Sequence, residues 1–554
     1  MDIKIQQFSS LKKIYSLSDI MGESLTKATV LQGEHYSYQV AIHHEGGTID
    51  NRSLLQISVD SPLKDYVKVY SVKNIPAEFP HPEVKDINYD FHTPTLVPDL
   101  LVPMESQKWH ANLVNAWAVF WVEVCVDDNI SGEFPVKIKI KGTQLETADH
   151  IATVKYEKEA VMNLNVIPKK LPEKQTKFTQ WFHVDCIADV HGEEIYTDRH
   201  WELIDKYMKM ASELGINMIL TPVITPPLDT LPGTMRPCTQ LVRVEKKGGE
   251  YIFDFSLLKK YISIAKRNGI KCFEISHFFS QWGCRFSPNI EVWENGEKKL
   301  MFGWHVPASD PSYKEFLSAL VPNLLEVLEE EGVIDNCYFH ISDEPSEEHI
   351  PHYEYASNLL KPLLRDCKIM DALSHVEFYE KGLVDHPVCC NDQIEPFIEK
   401  NVKGLWAYYC CAQREEVSNR FMSMPSYRNR ITGLQLYKYG IEGFLHWGYN
   451  FYYSQYSLYE INPFITTSTD GIFSSGDAFS VYPGKNGPMP SIRAFVFREA
   501  LEDIEICRLL EKKIGKKEVV ELIEKEAGGE LTFKNYPRNP EFIISVINKM
   551  KQML

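Results

Sequence analysis

The stretch from residue 178 to residue 222, "FTQWFHVDCIADVHGEEIYTDRHWELIDKYMKMASELGINMILTP", decides the fold. It opens on an apolar and aromatic run (178–185) that reads as a strand. It continues through Leu203, Ile204, Tyr207, Met208 and Ala211, which share one face of a helix. Gly215 stands where a left-handed cap closes that helix, and "INMILTP" (216–222) is a second apolar run. Buried runs that alternate with helices point to a parallel sheet.

The unit recurs along the chain. "SLLKKYISIAKRNG" (256–269) leads into "IKCFEISHF" (270–278), with Ser256 as expected N-cap and Gly269 as expected C-cap. "DPSYKEFLSALVPNLLEVLEEEG" (310–332) starts on the cap and first-turn pair Asp310–Pro311 and feeds "CYFHISDEP" (337–345). Shorter units follow at "CKIMDALS" (367–374), "PVCCNDQ" (387–393), "GLWAYYCC" (404–411) and "GIEGFLHWGYN" (440–450). Eight such strands predict a TIM (β/α)8 barrel. An open doubly wound sheet is the second reading, weakened by the lack of a Gly-rich phosphate loop after the first strand. The segment 491–513 is expected to close the barrel.

Upstream the period changes. "SYQVAIHHE" (37–45), "WAVFWVEVCV" (117–126) and "VKIKIKG" (136–142) alternate or run apolar, with turn clusters between them, and predict a β-sandwich. "NVIPKKLPEKQTK" (165–177) reads as a boundary. The expected organisation is therefore multidomain, all-β then α/β: a sandwich over 1–170, a catalytic barrel over 171–515 and a helical extension over 516–554. A chain of 554 residues is too long for a single ordinary core.

Composition narrows the partners. Lys and Arg total 59 against 76 Asp and Glu, a net charge of −17, which argues against nucleic acid or an anionic membrane surface. The opening "MDIKIQQFSSLKKIYS" has no apolar core of a signal peptide, and no apolar run reaches the length of a membrane span. None of the 12 cysteines forms CxxC, so buried thiols in a reducing cytoplasm are the expectation. No HExxH and no GxSxG occurs, so neither a metal site nor a nucleophilic serine is expected.

In a barrel of this type the chemistry lies at the C-terminal ends of the strands. Those ends bring His183 and Asp185; Glu274, His277, Gln281 and Trp282; Asp343 and Glu344; His375 and Tyr379; Asn391 and Asp392; Trp406, Tyr408 and Tyr409; His446, Trp447, Tyr449 and Asn450, while the second strand has Asn217 in its body and ends in "TP". An aromatic, His- and Asn-rich mouth with few positive charges suits a neutral polyhydroxyl ligand. Any one of these histidines taken alone is more readily explained as packing.

Glycoside hydrolysis ordinarily uses two carboxyl groups flanking the bond. Here both acids, Asp343 and Glu344, end strand four, and strand seven ends without one. Adjacent Cα atoms lie only about 3.8 Å apart, too close to address opposite faces of a sugar. Substrate-assisted cleavage removes that need, because the substrate's own 2-acetamido oxygen attacks the anomeric carbon. Asp343 would then hold the acetamido N–H while a protonated Glu344 gives its proton to the leaving oxygen. A competing reading makes the acidic pair in "SDEPSEEH" the N-terminal cap of the next helix.

"YFHISDEPS" resembles the catalytic strand of glycoside hydrolase family 123. The segments "GIEGFLHWGYNFY" and "SSGDAFSVYPGKNGPMPSIRAFVFREALEDIEICRLL" are similar to the C-terminal region of that family. The resemblance, over about 175–515, implies an exo-acting, retaining hydrolase of terminal β-linked N-acetylgalactosamine on glycans or glycoconjugates, with no cofactor. It carries Asp343 over as acetamido orienter and Glu344 as acid/base. Strand-end position and this context make Asn217, His277, Trp282, Tyr379, Trp406, Trp447 and Asn450 the candidate sugar contacts. Trp447 or Trp406 would be the stacking platform, and Tyr379 or Tyr408 the partner of the acetamido carbonyl. The alternatives are a glycosidase of another specificity (N-acetylglucosamine or another hexose) and a non-catalytic carbohydrate-binding protein on the same scaffold.

Overall fold

Alternation of inward and outward residues builds the N-terminal part of the chain. The computed structural model describes residues 2–17, 22–45, 52–80, 83, 86–104, 108–112, 116–127, 129–145 and 152–554. Strands Asp2–Ser9, His35–Glu45, Trp117–Cys125, Val67–Ala77 and Thr95–Pro103 form one sheet in that order. Lys27–Gln32, Ala152–Lys170, Gly132–Leu145, Arg52–Asp60 and Lys108–Asn112 form a second. Tyr38, Val40, Ile42, Phe120, Val122 and Val124 of the first share a single buried cluster with Leu55, Ile57, Ile138, Ile140, Met162 and Leu164 of the second. These clustered residues lie two apart along their strands, so one face of each sheet meets the other, which makes a β-sandwich.

The eight expected barrel strands are present and closed. They are Lys177–Gln180, Met218–Thr221, Cys272–Ile275, Cys337–Phe339, Lys368–Ala372, His386–Cys390, Trp406–Tyr408 and Gly443–His446, hereafter strands one to eight. Each pairs in parallel with the next, and strand one closes on strand eight from Lys177↔Gly443 to Gln180↔His446. Met218 and Leu220, Met370 and Ala372, Val388 and Cys390, and Trp406 and Tyr408 all belong to one buried cluster. These two-apart pairs are the stacked layers of a filled barrel. Gly443 makes the lower layer possible, because a Cβ there would lie 2.4 Å from the Trp406 ring.

Helix boundaries follow the capping logic with two amendments. Thr197 caps Asp198–Glu213, and Asp310 caps Pro311–Glu330 through Ser312 N. Gly215, Gly269 and Gly332 follow their helices with positive φ. Ser256, expected to be a cap, is instead the first residue of Ser256–Arg267, and the Asp254 carboxylate takes its N–H at 2.9 Å. Strand one is shorter than expected and turns directly into an additional helix, Val184–His191. A four-stranded sheet (Arg243–Lys247, Glu250–Asp254, Ile290–Glu294, Glu297–Phe302) is inserted around strand three, where no periodicity announced it.

The chain divides into two compact units, one of 1–175, 420–437 and 489–554 and one of 176–419 and 438–488. Helix Ile492–Ile514, expected to close the barrel, belongs to the sandwich's unit. There Arg493 makes two 3.0 Å bonds to Asp99, Arg498 pairs with Glu123, and Glu502 meets His35 at 2.8 Å. These charged residues of the helix form a buried ionic seam. Among the described residues no helix is long and apolar enough to cross a membrane.

Candidate active site

Two zippered loops deliver the acidic pair. After strands three and four, Phe278 N bonds His340 O, Phe279 N bonds Ile341 O, Trp282 N bonds Asp343 O and the Ser342 hydroxyl bonds Ser280 O. Glu344 N reaches back to Ala372 O at the end of strand five. That geometry forces Glu344 to φ 44°, a left-handed conformation uncommon for a residue with a side chain. The helix-cap reading of the pair fails here. Ser346 caps the next turn, through a reciprocal capping box with His349.

Asp343 and Glu344 open into a cavity of about 100 Å³, walled by Trp181, Asp229, Trp282, Tyr408, Trp447 and Phe451 among others. Tyr408 Oη donates to Glu344 Oε1 at 2.8 Å. Burial raises the Glu344 carboxyl, while the Tyr408 and Trp282 donors pull it back. Burial raises Asp343 further, and the adjacent Glu344 charge adds to it. Two such neighbours share a proton rather than both ionising. The Tyr408 and Trp282 donors favour a charged Glu344, so a shared proton is drawn toward Asp343.

Several expected contacts do not face the cavity. Asn217 stands at the start of strand two, at the opposite end of the barrel, where it bonds Phe178 N and Thr176 O. Trp406 is fully buried two residues before Tyr408, about 6.6 Å lower along strand seven. That offset leaves Trp406 in the core and Tyr408 in the mouth. Tyr379 sits on the short helix Glu377–Glu380, where its hydroxyl accepts from Lys403 N at 3.4 Å. Asn450 is buried and its amide clamps both backbone groups of His183, at 2.9 Å each. His277 lies behind the wall, stacked on His340 with centroids 4.1 Å apart. Trp282, Tyr408 and Trp447 do line the cavity, and the Trp447 indole is aimed by a 3.0 Å bond to Asp477.

Among the lining residues not singled out beforehand are Trp181, Asp229 and Phe451. Trp181 directly follows strand one and its indole N–H is fixed on Glu274 at 2.6 Å. Asp229 comes from the loop after strand two, at φ 46°, and accepts from Tyr456 N at 2.8 Å. Burial lifts its carboxyl to about 6. A proline-rich loop, "TPPLDTLPG" (225–233), straight after a barrel strand was its only signal. Beside it, Arg236 holds Asp185 with two 2.7 Å bonds and His183 Nδ1 at 3.0 Å, a buried brace under the mouth.

A closed barrel with an acid pair at the end of strand four, Asp343 buried and Glu344 half-buried, carries its candidate chemistry where barrel enzymes carry theirs. Residues 181–510 match the profile described as glycoside hydrolase 123, catalytic domain. The chain belongs to glycoside hydrolase family 123. The solved structure of a family 123 glycoside hydrolase from Clostridium perfringens, a work on glycolipid glycan hydrolysis, is similar over 100% of this chain and 98% of that one, at 16% identity and a TM-score of 0.72. This likeness extends the shared fold over the sandwich and the C-terminal helices. EndoBT-3987 of Bacteroides thetaiotamicron, solved with a Man5GlcNAc product, covers 84% and 97% at 9% identity but only a TM-score of 0.23. No curated protein matches the chain.

Proposed function

We propose that this family 123 enzyme is an exo-acting, retaining β-N-acetylgalactosaminidase whose nucleophile is the substrate's 2-acetamido oxygen. The observation that carries the reading is that Asp343 and Glu344 line one cavity together, with Tyr408 rather than an acid arriving from strand seven. An acetamido N–H donated to Asp343 favours its ionised form, and the displaced proton passes to Glu344. Substrate binding thus arms the acid. Glu344 protonates the leaving oxygen as the acetamido oxygen closes on the anomeric carbon, Asp343 stabilises the positive ring, and Glu344 then deprotonates the water that opens it.

Hydrolysis of 4-nitrophenyl β-glycosides tests this. Turnover is expected on the 2-acetamido galactoside, less on its gluco epimer and none on the plain galactoside. Equal turnover of the plain galactoside would sink substrate assistance. Asp229 favours a second reading, since it brings a third carboxyl to the cavity from another loop. If it were a conventional nucleophile, Asp229→Asn would abolish turnover and the plain galactoside would be cleaved.

A further inference from the structure

Under the acid pair lies a set of ionisable groups with no exposure at all: Glu274 on strand three, His277 just past it, His340 just past strand four, and Asp371 on strand five. His340 is the centre. Its Nε2 meets Glu274 Oε1 at 2.7 Å and its Nδ1 meets Asp371 Oδ1 at 2.8 Å. A neutral imidazole has one N–H, so two carboxylate acceptors require the doubly protonated ring.

The other partners of the carboxylates agree. Glu274 takes the Trp181 indole N–H and the Thr179 hydroxyl, each at 2.6 Å. Asp371 takes the Tyr353 hydroxyl, and it also takes the backbone N–H groups of Ile341 and Ser342, these at 3.1 to 3.3 Å. Each of these neighbours donates, so neither carboxylate needs a proton of its own. Burial disfavours the cation, but its bonds to Asp371 and Glu274 outweigh that and raise the imidazole to about 10.

His277 lies nearly flat against this ring, at 23°, with neither of its nitrogens hydrogen-bonded. Burial and the His340 charge push it well below the ordinary imidazole value, so a neutral ring faces a charged one. His277, His340 and Asp371 are close enough to suggest a metal site. The geometry speaks against one. Both His340 nitrogens are already committed, and stacked rings direct their lone pairs side by side rather than to a common point.

The network has two outlets into the cavity. Glu274 fixes Trp181, a wall of the sugar site. Asp371 fixes the two peptide groups immediately before Asp343. The His340 charge also opposes the burial that disfavours an ionised Asp343, against the neighbouring Glu344, Asp371 and Glu274 charges, which act with that burial. We propose that His340 is a positioning residue: a buried cation, held by Glu274 and Asp371, that aims Asp343 and supplies positive charge beside it. The proposal rests on the substrate-assisted reading, in which Asp343 must be an anion.

The test is a double-mutant cycle on the 2-acetamido galactoside. His340→Gln keeps a donor and an acceptor but removes the charge. It is expected to lower kcat about a hundredfold with KM nearly unchanged, and to move the acidic limb of the pH–rate profile upward. His340→Gln in a D343N background is expected to cost nothing more, because the first residue acts through the second. Wild-type kcat in His340→Gln, or losses that multiply in the double variant, would overturn the proposal. Should His340→Gln not fold, Glu274→Gln and Asp371→Asn carry the same cycle and the same criteria. If D343N alone keeps its turnover, the substrate-assisted reading has failed. If D343N is inactive and His340→Gln is normal, only the positioning role has failed.

Discussion

The Tyr408 hydroxyl, reaching from strand seven, donates at 2.8 Å to the Glu344 carboxylate at the end of strand four. This bond favours the charged form of Glu344. In the proposed mechanism Glu344 is the acid and must be protonated in the first step, so the alkaline limb of the rate profile is expected to follow its titration. Tyr408→Phe is expected to move that limb to higher pH and to lower kcat about tenfold through lost orientation. A limb that stays in place would show that Glu344 is not the acid.

Trp447 and Trp406 were equal candidates for a sugar platform, and the structure separates them. Trp447→Ala is expected to raise KM about tenfold, as the loss of about 1.4 kcal/mol of binding would, with the fold intact. Trp406→Ala is expected to cost about 3–5 kcal/mol of stability, as removal of a fully buried indole does. Thermal melting beside steady-state kinetics distinguishes the two, and a normal melting temperature for Trp406→Ala would contradict its place in the core.

Gly443 lies against the face of Trp406, where a Cβ would come within 2.4 Å. Gly443→Ala is expected to destabilise the barrel by about 1–3 kcal/mol through overpacking. Denaturant melts measure it, and a Trp406→Phe change in the same chain should recover part of the loss.

His35 pairs with Glu502 at 2.8 Å within the sandwich unit. Burial and Arg498 act against its charge, but Glu502 and Cys125 raise the imidazole to about 9. A free histidine titrates near about 6.5. Because the folded value is the higher one, the pair's contribution is complete below the free value and declines as pH rises, vanishing above about 9. Melting temperature is expected to fall over that window, and His35→Gln to flatten the fall.

The alternation of strands and helices was legible because both periods depend on which side of an element is buried. The same rule placed Asp343 and Glu344 at the mouth and gave the barrel. It failed for Asn217 and Trp406, since a strand a few residues long shows its direction but not which layer each side chain enters. Asn450, Tyr379 and His277 were misplaced for a related reason. Position near a strand end does not reveal whether a side chain turns to the cavity or to a neighbouring backbone group. Asp229 escaped because loops carry no periodicity. The ionic seam on Ile492–Ile514 escaped because a charged helix face reads the same whether it meets water or Asp99, Glu123 and His35.

The left-handed backbone at Glu344 has a consequence for engineering. Asparagine tolerates that conformation better than glutamate does, and Glu344→Asn would also remove a half-buried carboxyl from beside Asp343. The inactive variant is therefore expected to melt at a higher temperature than the working enzyme, the signature of a position where activity and robustness are in opposition. A lower melting temperature would mean that the Tyr408 bond contributes more to the fold than the twist and the repulsion take away. If the variant is tougher, it becomes a natural handle: a hardened, non-cleaving form of the protein that keeps its sugar pocket and can serve as a capture reagent for the glycan it recognises.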